Sequence, residues 1–461
     1  MQNGQKIVLV WVWGTGMSGI AGMLLDLWYT DIIGIDSEHW QLTDNLEKRW
    51  LNIIYGHGNY MVSPWDIVIY SAAAEQSPEV IQAQQLLQDY PKWMLVCNYF
   101  QFLGEISKYC RTLAIAWTNG KSTTTALALY AAGRQLKDFW LWILGALLPD
   151  FDNHSYCINQ EATDAIKNIF THIFTGKWLD YSIIKKYIFI VEACEYKRHF
   201  LHLDPDYSVI TSLELDHTDY YTDIHDYQNA FLKLLSKTKE KVFLAPGLDS
   251  SWIPREYKDK RDHVDLDTFV TDHVFGAHYM INISLVKLAL DSISQTTLAK
   301  DTRRGFHGLW RRMEYLNTTE KGAKIYTDYA HMPSSLHIVY TSLYEHFPDK
   351  KICAIFQPHQ VHRILQSWEE FAQSLQSYDD KILYNIYAAR ENVDKIYEHN
   401  GMVVWTVKEI WHTLARDVWC KYETDFGSLW EKIESYDDNR IVVILTAGDL
   451  DYYVRNTLKD K

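Results

Sequence analysis

The chain has 461 residues, 47% hydrophobic and 23% charged, with a formal net charge of −14. Such a length exceeds one core and points to three domains; the composition excludes extensive disorder, and the acidic balance excludes general nucleic-acid affinity, since a duplex binder needs a basic face to displace counterions. Cys97, Cys110, Cys157, Cys194, Cys353 and Cys420 are scattered without a CxxC pair and read as reduced thiols; with no charged-then-apolar leader and no run near the roughly 18 apolar residues of a membrane span, a cytoplasmic protein with no membrane partner is expected.

From Lys6 to Cys110, short β-rich runs (Ile7 to Val12, Ile32 to Ile35, Ile67 to Tyr70) alternate with helical stretches at Ile20 to Leu27 and Pro78 to Leu87. This alternation predicts βαβ units on a parallel sheet, a Rossmann-like N-terminal domain over residues 1–110. Its first turn, Trp11-Val12-Trp13-Gly14-Thr15-Gly16-Met17-Ser18-Gly19, carries the glycines of a diphosphate-binding turn, and Asp36 follows at the end of the next strand.

A second domain, residues 111–304, opens on an apolar strand, Leu113 to Ala116, that runs into Trp117-Thr118-Asn119-Gly120-Lys121-Ser122, with a helix predicted from Thr123. A strand, a loop and a helix in that order cradle phosphate: backbone N–H groups and the helix N-terminus face it, the lysine reaches its oxygens, and the hydroxyl can hold Mg²⁺. The sheet is therefore expected to be of the parallel P-loop ATPase type. Two further strands end on polar groups, Tyr187 to Glu192 on a carboxylate and Ser208 to His217 on Asp216 and His217. Ligands collect beyond the carboxyl ends of such strands, so all three tips are expected at one crevice. Glu192 as a structural ion-pair partner and His217 as a turn cap are the plainer alternatives.

The third domain, residues 305–461, again alternates strands (Ile325 to Thr327, Lys351 to Phe356, Ile382 to Tyr387, Arg440 to Leu445) with helices and is expected to be Rossmann-like. It begins near Gly305-Phe306-His307-Gly308-Leu309-Trp310-Arg311-Arg312, a candidate hinge and arginine clamp. Asp259 to Asp267 reads as an exposed charged stretch.

Taken in order, these pieces resemble the ATP-dependent Mur ligases, most closely their alanine-adding branch, over nearly the whole chain. The resemblance rests on Gly14 to Ala21, Thr118 to Thr124, Glu192-Ala193-Cys194-Glu195, Leu213 to Tyr221, Asp328-Tyr329-Ala330-His331-Met332-Pro333, Phe356-Gln357-Pro358-His359 and Ala447-Gly448-Asp449. It implies that the first domain binds the UDP moiety of UDP-N-acetylmuramate, rather than NAD, through Gly14, Thr15, Gly16, Met17, Ser18 and Asp36. It implies an ATP site at Trp117, Thr118, Asn119, Gly120, Lys121, Ser122 and Thr123, with Arg311 and Arg312 from the hinge. Lys121, Glu192 and His217 become the catalytic set, Ser122, Glu192 and His217 the Mg²⁺ ligands, and His331, His359 and Arg363 the side that takes the amino acid. The implied reaction activates a carboxylate as an acyl phosphate and joins it to the amine of L-alanine.

Relatives that use a carbamylated lysine carry it about fifteen residues after the Asp-His pair; here that count reaches Phe231, Leu232 and Lys233, which favours the alanine-adding branch. The chain departs from the family at His331-Met332, where a double histidine is usual, at Gln360, where an arginine follows the Pro-His pair, and in the stretch 152–186. A murein-peptide-recycling ligase on the same sugar nucleotide and a non-catalytic nucleotide-binding homologue are the rival readings. A nicotinamide-dependent dehydrogenase would need a hydride-transfer site that the sequence does not offer. Oligomeric state is left open.

The tryptophans are a separate puzzle. Trp11, Trp13 and Trp117 stand where glycines belong, Trp28 and Trp50 follow helices where a glycine cap is expected, and Trp140, Trp142 and Trp178 sit beside expected turns. With 18 Trp and 21 Gly, glycine is only about 5% of the chain, against a usual share of roughly 7%. Both facts fit a gene that uses UGA for glycine, read here as tryptophan.

Overall fold

Short apolar runs such as Ile7–Val10 can be buried on both faces only when helices cover both sides of a parallel sheet, and the chain solves this problem three times. The computed structural model describes residues 5–116, 120–136, 139–151, 153–217, 220–246, 248–249, 251–254, 276–294, 306–387, 397–399, 402–405, 407–418 and 420–459. Trp117, Thr118, Asn119, Gly305 and the charged stretch from Asp259 to Asp267 lie outside them. Two compact units are present: Met1–Asp267 with Ile281–Phe306, which holds the first two sheets, and Thr268–Met280 with His307–Lys461, which holds the third.

The first sheet contains β1 (Ile7–Val10), β2 (Ile32–Asp36), β3 (Asn52–Tyr55), β4 (Ile67–Tyr70) and β5 (Leu95–Asn98), all parallel in the order β3-β2-β1-β4-β5. The order reverses between β1 and β4, which opens a crevice beyond their carboxyl ends, where the first turn lies. The helices are α1 (Thr15–Asp26), α2 (Gln41–Lys48), α3 (Pro78–Asp89) and α4 (Tyr99–Tyr109). α4 starts where it does because Asn98 accepts the Gln101 N–H at 2.9 Å while the Gln101 side chain accepts the Asn98 N–H at 2.8 Å.

The second sheet runs β11-β10-β6-β9-β7-β8, with β6 (Arg111–Ala116), β7 (Phe139–Leu148), β8 (His154–Ile158), β9 (Ile188–Ala193), β10 (Tyr207–Ile210) and β11 (Lys241–Leu244). Only the β7–β8 pair is antiparallel. Its helices include α5 (Lys121–Gln135), α6 (Thr163–Thr175) and α7 (Ile224–Lys237). β6 lies between β9 and β10, with Ala116 opposite Ala193 on one side and Ile210 on the other, so the chain leaves all three strands at one level.

The unfamiliar stretch 152–186 supplies β8 and α6, and both tie the first two sheets together. Ser155 donates to the Thr15 carbonyl at 2.7 Å, the Tyr156 hydroxyl to Asp26 at 2.8 Å, and Arg49 to the Tyr156 oxygen at 2.7 Å. From α6, Phe170 and Phe174 pack on Phe102 of α4 at ring separations of 5.4 and 5.7 Å. One hydrophobic cluster therefore passes from Ile20 and Leu24 through Phe102 and Ile106 to Phe170.

The third sheet orders β12 (Glu314–Thr318), β13 (Lys324–Asp328), β14 (Lys351–Gln357), β15 (Asp380–Tyr384), β18 (Lys421–Glu423) and β19 (Arg440–Thr446) as β12-β13-β19-β14-β15-β18, with only β12 antiparallel. β16 (Tyr397–His399) and β17 (Met402–Trp405) form a separate antiparallel pair. The α/β class and the three parallel-rich sheets match the expectation from sequence. Among the described residues, no helix is long and apolar enough to cross a membrane.

Three tryptophans adopt backbone that L side chains rarely tolerate: Trp11 at φ 64°, Trp28 at 60° and Trp50 at 68°. After α1, the Trp28 N–H bonds the Leu25 carbonyl at 3.0 Å and the Tyr29 N–H bonds the Leu24 carbonyl at 3.0 Å. After α2, Trp50 and Leu51 repeat that pair onto Glu47 and Leu46, at 2.9 and 3.1 Å. Both are left-handed helix ends in which the residue with positive φ is ordinarily glycine. Their indoles project into solvent, 78% and 94% exposed, so no packing repays the strain. Trp140 and Trp142, by contrast, lie within β7 rather than beside a turn.

Candidate active site

The site is assembled from the segments that leave the carboxyl ends of β6, β9 and β10. α5 begins at Lys121 because Gly120 takes φ 86°, a left-handed conformation that glycine adopts without the cost of a Cβ. The helix N-terminus thereby presents Lys121, Ser122 and Thr123 in its first turn. Ser122 is buried, and its hydroxyl donates to Glu192 Oε1 at 3.0 Å. The other oxygen of Glu192 accepts the Gly145 N–H at 2.8 Å, and a Cβ on Gly145 would stand 2.9 Å from it. The approach is that close because residue 145 has no side chain.

The Lys121 ammonium lies 2.5 Å from Glu195 Oε2, and Glu195 is 1% exposed. Burial pulls the lysine down, but the Glu195 charge and hydrogen bond, with smaller pushes from Cys194 and Glu192, hold its pKa above the ordinary value. His217, at φ 55°, places Nε2 3.5 Å from Glu195 Oε1 and 3.9 Å from Asp216 Oδ2, with its ring 4.5 Å from that of Tyr196. Lys121, Ser122, Glu192 and His217, read separately from three strand tips, are thus brought together. Ser122 and Glu192 offer hard oxygen donors suited to Mg²⁺. Glu195, Asp216 and His217 offer a second group, with ligand atoms all within 4.8 Å of one another.

The first turn reaches the same place. Thr15 donates to the Gly145 carbonyl at 2.9 Å and Ser18 to the Thr15 carbonyl at 3.0 Å. Gly14 caps α1, Met17 is buried, and Gly16 is covered by the Tyr99 ring, whose Cζ would meet a Cβ there at 2.7 Å. Burial, and then the nearby Glu192 and Cys194, push the Tyr99 phenol far above its usual pKa. Asp36 is fully buried, and its two oxygens accept the Trp13 and Ser37 N–H groups at 2.8 and 2.7 Å, so it braces the turn. Beside the turn, the Trp11 indole donates to His57 at 2.5 Å at the edge of a cavity of about 300 Å³ that reaches Ser77 and Pro78.

In the second unit, Arg311 is 7% exposed. Its guanidinium donates to the Thr446 carbonyl and, at 3.1 Å, to that of Gly448, with Nε 3.8 Å from Asp451. Burial, against the pull of Asp451 and Tyr329, lowers its pKa. Arg312 is half-buried over the Tyr329 ring at 5.0 Å. The His331 ring lies 6.0 Å from that of His359, which stacks on Tyr387 at 5.7 Å; Arg363 follows on the helix Val361–Gln366.

Residues 115–271 match the Mur ligase middle domain, and residues 311–448 match the Mur ligase glutamate ligase domain. The chain belongs to the Mur ligase family. It is thus an ATP-dependent ligase of peptidoglycan synthesis. It is 28% identical to the UDP-N-acetylmuramate–L-alanine ligase of Alkaliphilus metalliredigens, over 99% of this chain and 98% of that protein. It is also 28% identical to the ligase of the same description from Clostridium acetobutylicum, over 84% of each. The structure of the Thermotoga maritima UDP-N-acetylmuramate–alanine ligase superposes with a TM-score of 0.72 at 21% identity, over 99% of this chain and 100% of that one. A murein peptide ligase from Psychrobacter arcticus gives 0.59 at 18% identity, over 99% and 98%. These two likenesses show a shared fold.

Within this Mur ligase, sequence reading passed over Glu195, Gly145 and Tyr99. Glu195 stood in the Glu192-Ala193-Cys194-Glu195 motif, three residues from a carboxylate that was singled out. Gly145 and Tyr99 carried no signal, because only the fold brings β7 and α4 to the ends of β6 and β9.

Proposed function

We propose that this Mur ligase joins L-alanine to the carboxylate of UDP-N-acetylmuramate, forming an amide and releasing ADP and phosphate. The observation that carries the reading is the convergence of Lys121, Ser122, Glu192 and His217 at the tips of adjacent strands. The substrate carboxylate attacks the γ-phosphorus of ATP, ADP leaves, and the alanine amine then attacks the acyl carbon and expels phosphate. Such chemistry needs positioning and charge neutralisation more than covalent help.

In this reading Lys121 balances the β- and γ-phosphates, and the α5 N-terminus donates N–H groups to them. Ser122 and Glu192 would hold one Mg²⁺ and His217 would help place a second, the ions supplying positive charge against the phosphate oxygens. The turn Gly14 to Ser18 takes the UDP diphosphate, with Asp36 holding the turn in shape. Arg312 is the better candidate of the arginine pair for phosphate, since the Arg311 guanidinium is already given to two carbonyls. His331, His359 and Arg363 take the amino acid. Residues 1–110, 111–304 and 305–461 are assigned as UDP-sugar, ATP and amino-acid domains, in a cytoplasmic enzyme. The relatives named UDP-N-acetylmuramate–L-alanine ligase support the choice of substrates.

ADP release tests the proposal. UDP-N-acetylmuramate with free L-alanine is expected to support turnover, and the same sugar with a tripeptide is not. Turnover with the tripeptide alone would assign a recycling ligase. ATP binding with neither activity would assign a non-catalytic homologue.

A further inference from the structure

We propose that Glu195 is a positioning residue that holds the Lys121 ammonium and the His217 ring before ATP arrives, and that it releases Lys121 as the phosphates bind. The proposal rests on the ligase reading above and adds to it a residue that this reading does not use.

The two oxygens of Glu195 serve different elements: Oε2 lies 2.5 Å from Lys121 Nζ at the start of α5, and Oε1 lies 3.5 Å from His217 Nε2 beyond β10. The carboxylate is aimed from behind. Its own carbonyl accepts the hydroxyl of Tyr221, which is 1% exposed, and the Arg198 N–H at 2.8 Å. The chain then turns back through Lys197 and Arg198 at φ 49° and 59°, which fixes Glu195 at the mouth of the loop. A carboxylate so deeply buried needs a counter-charge, and Lys121 supplies it.

The same ammonium is the group that must face the β- and γ-phosphates. It cannot serve a carboxylate and a phosphate at full strength together, and the carboxylate charge itself repels the incoming anion. ATP entry therefore replaces one anionic partner of Lys121 by another and leaves Glu195 to His217. A carboxylate with only a structural role would affect folding without opposing ATP.

Glu195→Gln keeps the shape and removes the charge. Equilibrium ATP binding to the full-length protein with Mg²⁺, in the absence of UDP-sugar, is expected to tighten by roughly tenfold, the scale of one lost charge repulsion near the phosphates. At saturating substrates kcat is expected to fall by at least about tenfold, because His217 loses its anchor. On a Lys121→Ala background the same change should tighten ATP binding by a smaller factor, because only the repulsion, and not the competition for the ammonium, is left to remove. Glu195→Asp, which draws the carboxylate back by one methylene, should shift ATP affinity in the same direction by a smaller factor. ATP binding that is unchanged or weaker in whichever variant folds overturns the proposal, as does failure of both to fold. A parent that binds ATP and turns over while the variants bind no tighter overturns the role of Glu195 alone. A parent that binds no ATP overturns the ligase reading as well.

Discussion

Ser122 at the start of α5 donates its hydroxyl to Glu192 at the end of β9, at 3.0 Å, across 70 residues of sequence. Hydroxyl and carboxylate form one oxygen-rich corner at the start of α5. Glu192→Gln is expected to lower turnover by about 100-fold and to raise the Mg²⁺ concentration needed for half-maximal rate. A metal titration with an unshifted midpoint would argue that Glu192 only braces Ser122 and Gly145.

Lys121→Ala should abolish turnover, by at least about 100-fold, while UDP-sugar binding changes little. The two effects separate because the first turn, from Gly14 to Ser18, is supported by Asp36 and Gly145 and not by the lysine. Activity within a few-fold of the parent would remove Lys121 from the mechanism.

The solvent-exposed indoles at 28 and 50 give a stability test of the tryptophan puzzle. Trp28→Gly and Trp50→Gly are each expected to raise stability by roughly 1 kcal/mol, because a left-handed helix end costs an L side chain more than glycine loses in chain entropy. The two changes cap different helices and should add in urea unfolding. Trp117→Gly should strengthen ATP binding, since phosphate must approach bare backbone at the head of the loop. UGG codons at positions 11, 28 and 50 would remove the recoding explanation and leave three tolerated outliers.

His199 predicts an acid limit. It is 7% exposed, stacked on Phe100 at 4.1 Å, with no hydrogen-bond partner for Nδ1 among the described residues. Burial first, then the charges of His202, Lys197 and His217, lower its pKa to about 4. The unfolded chain, with an ordinary histidine near 6.5, takes up a proton that the folded chain refuses, so stability is full above pH 6.5 and falls as pH drops toward 4. The loss reaches up to about 3 kcal/mol at the bottom of that window. Urea unfolding of His199→Phe at pH 7 and 4.5 should show a smaller decline than the parent; an equal decline would place the acid sensitivity elsewhere.

Legibility in the sequence tracks burial. β1, β4, β6, β9, β14 and β19 are apolar runs covered on both faces, and the sequence marks them almost to the residue. The start of α5 was legible because its signal is local: Gly120, Lys121 and Ser122 are consecutive. The strand expected to run on toward His217 stops at Ile210, and the rest is irregular chain, since its polar groups serve the site and not the sheet. β8 and α6 were missed because their partners, α1 and α4, lie far back in the chain. Arg311 read as half of an arginine clamp, yet the carbonyls of Thr446 and Gly448, distant in sequence, take its guanidinium.

Gly145 is held from both sides. Its oxygen accepts from Thr15 and its nitrogen donates to Glu192, so the two peptide planes that meet at one Cα link the first turn to the Ser122–Glu192 corner. Anything that displaces that Cα is felt at both edges at once. In the proposed ligase a methyl group at position 145 would wedge against the acid on one side and pull the threonine on the other, and the two affinities would decline as a pair.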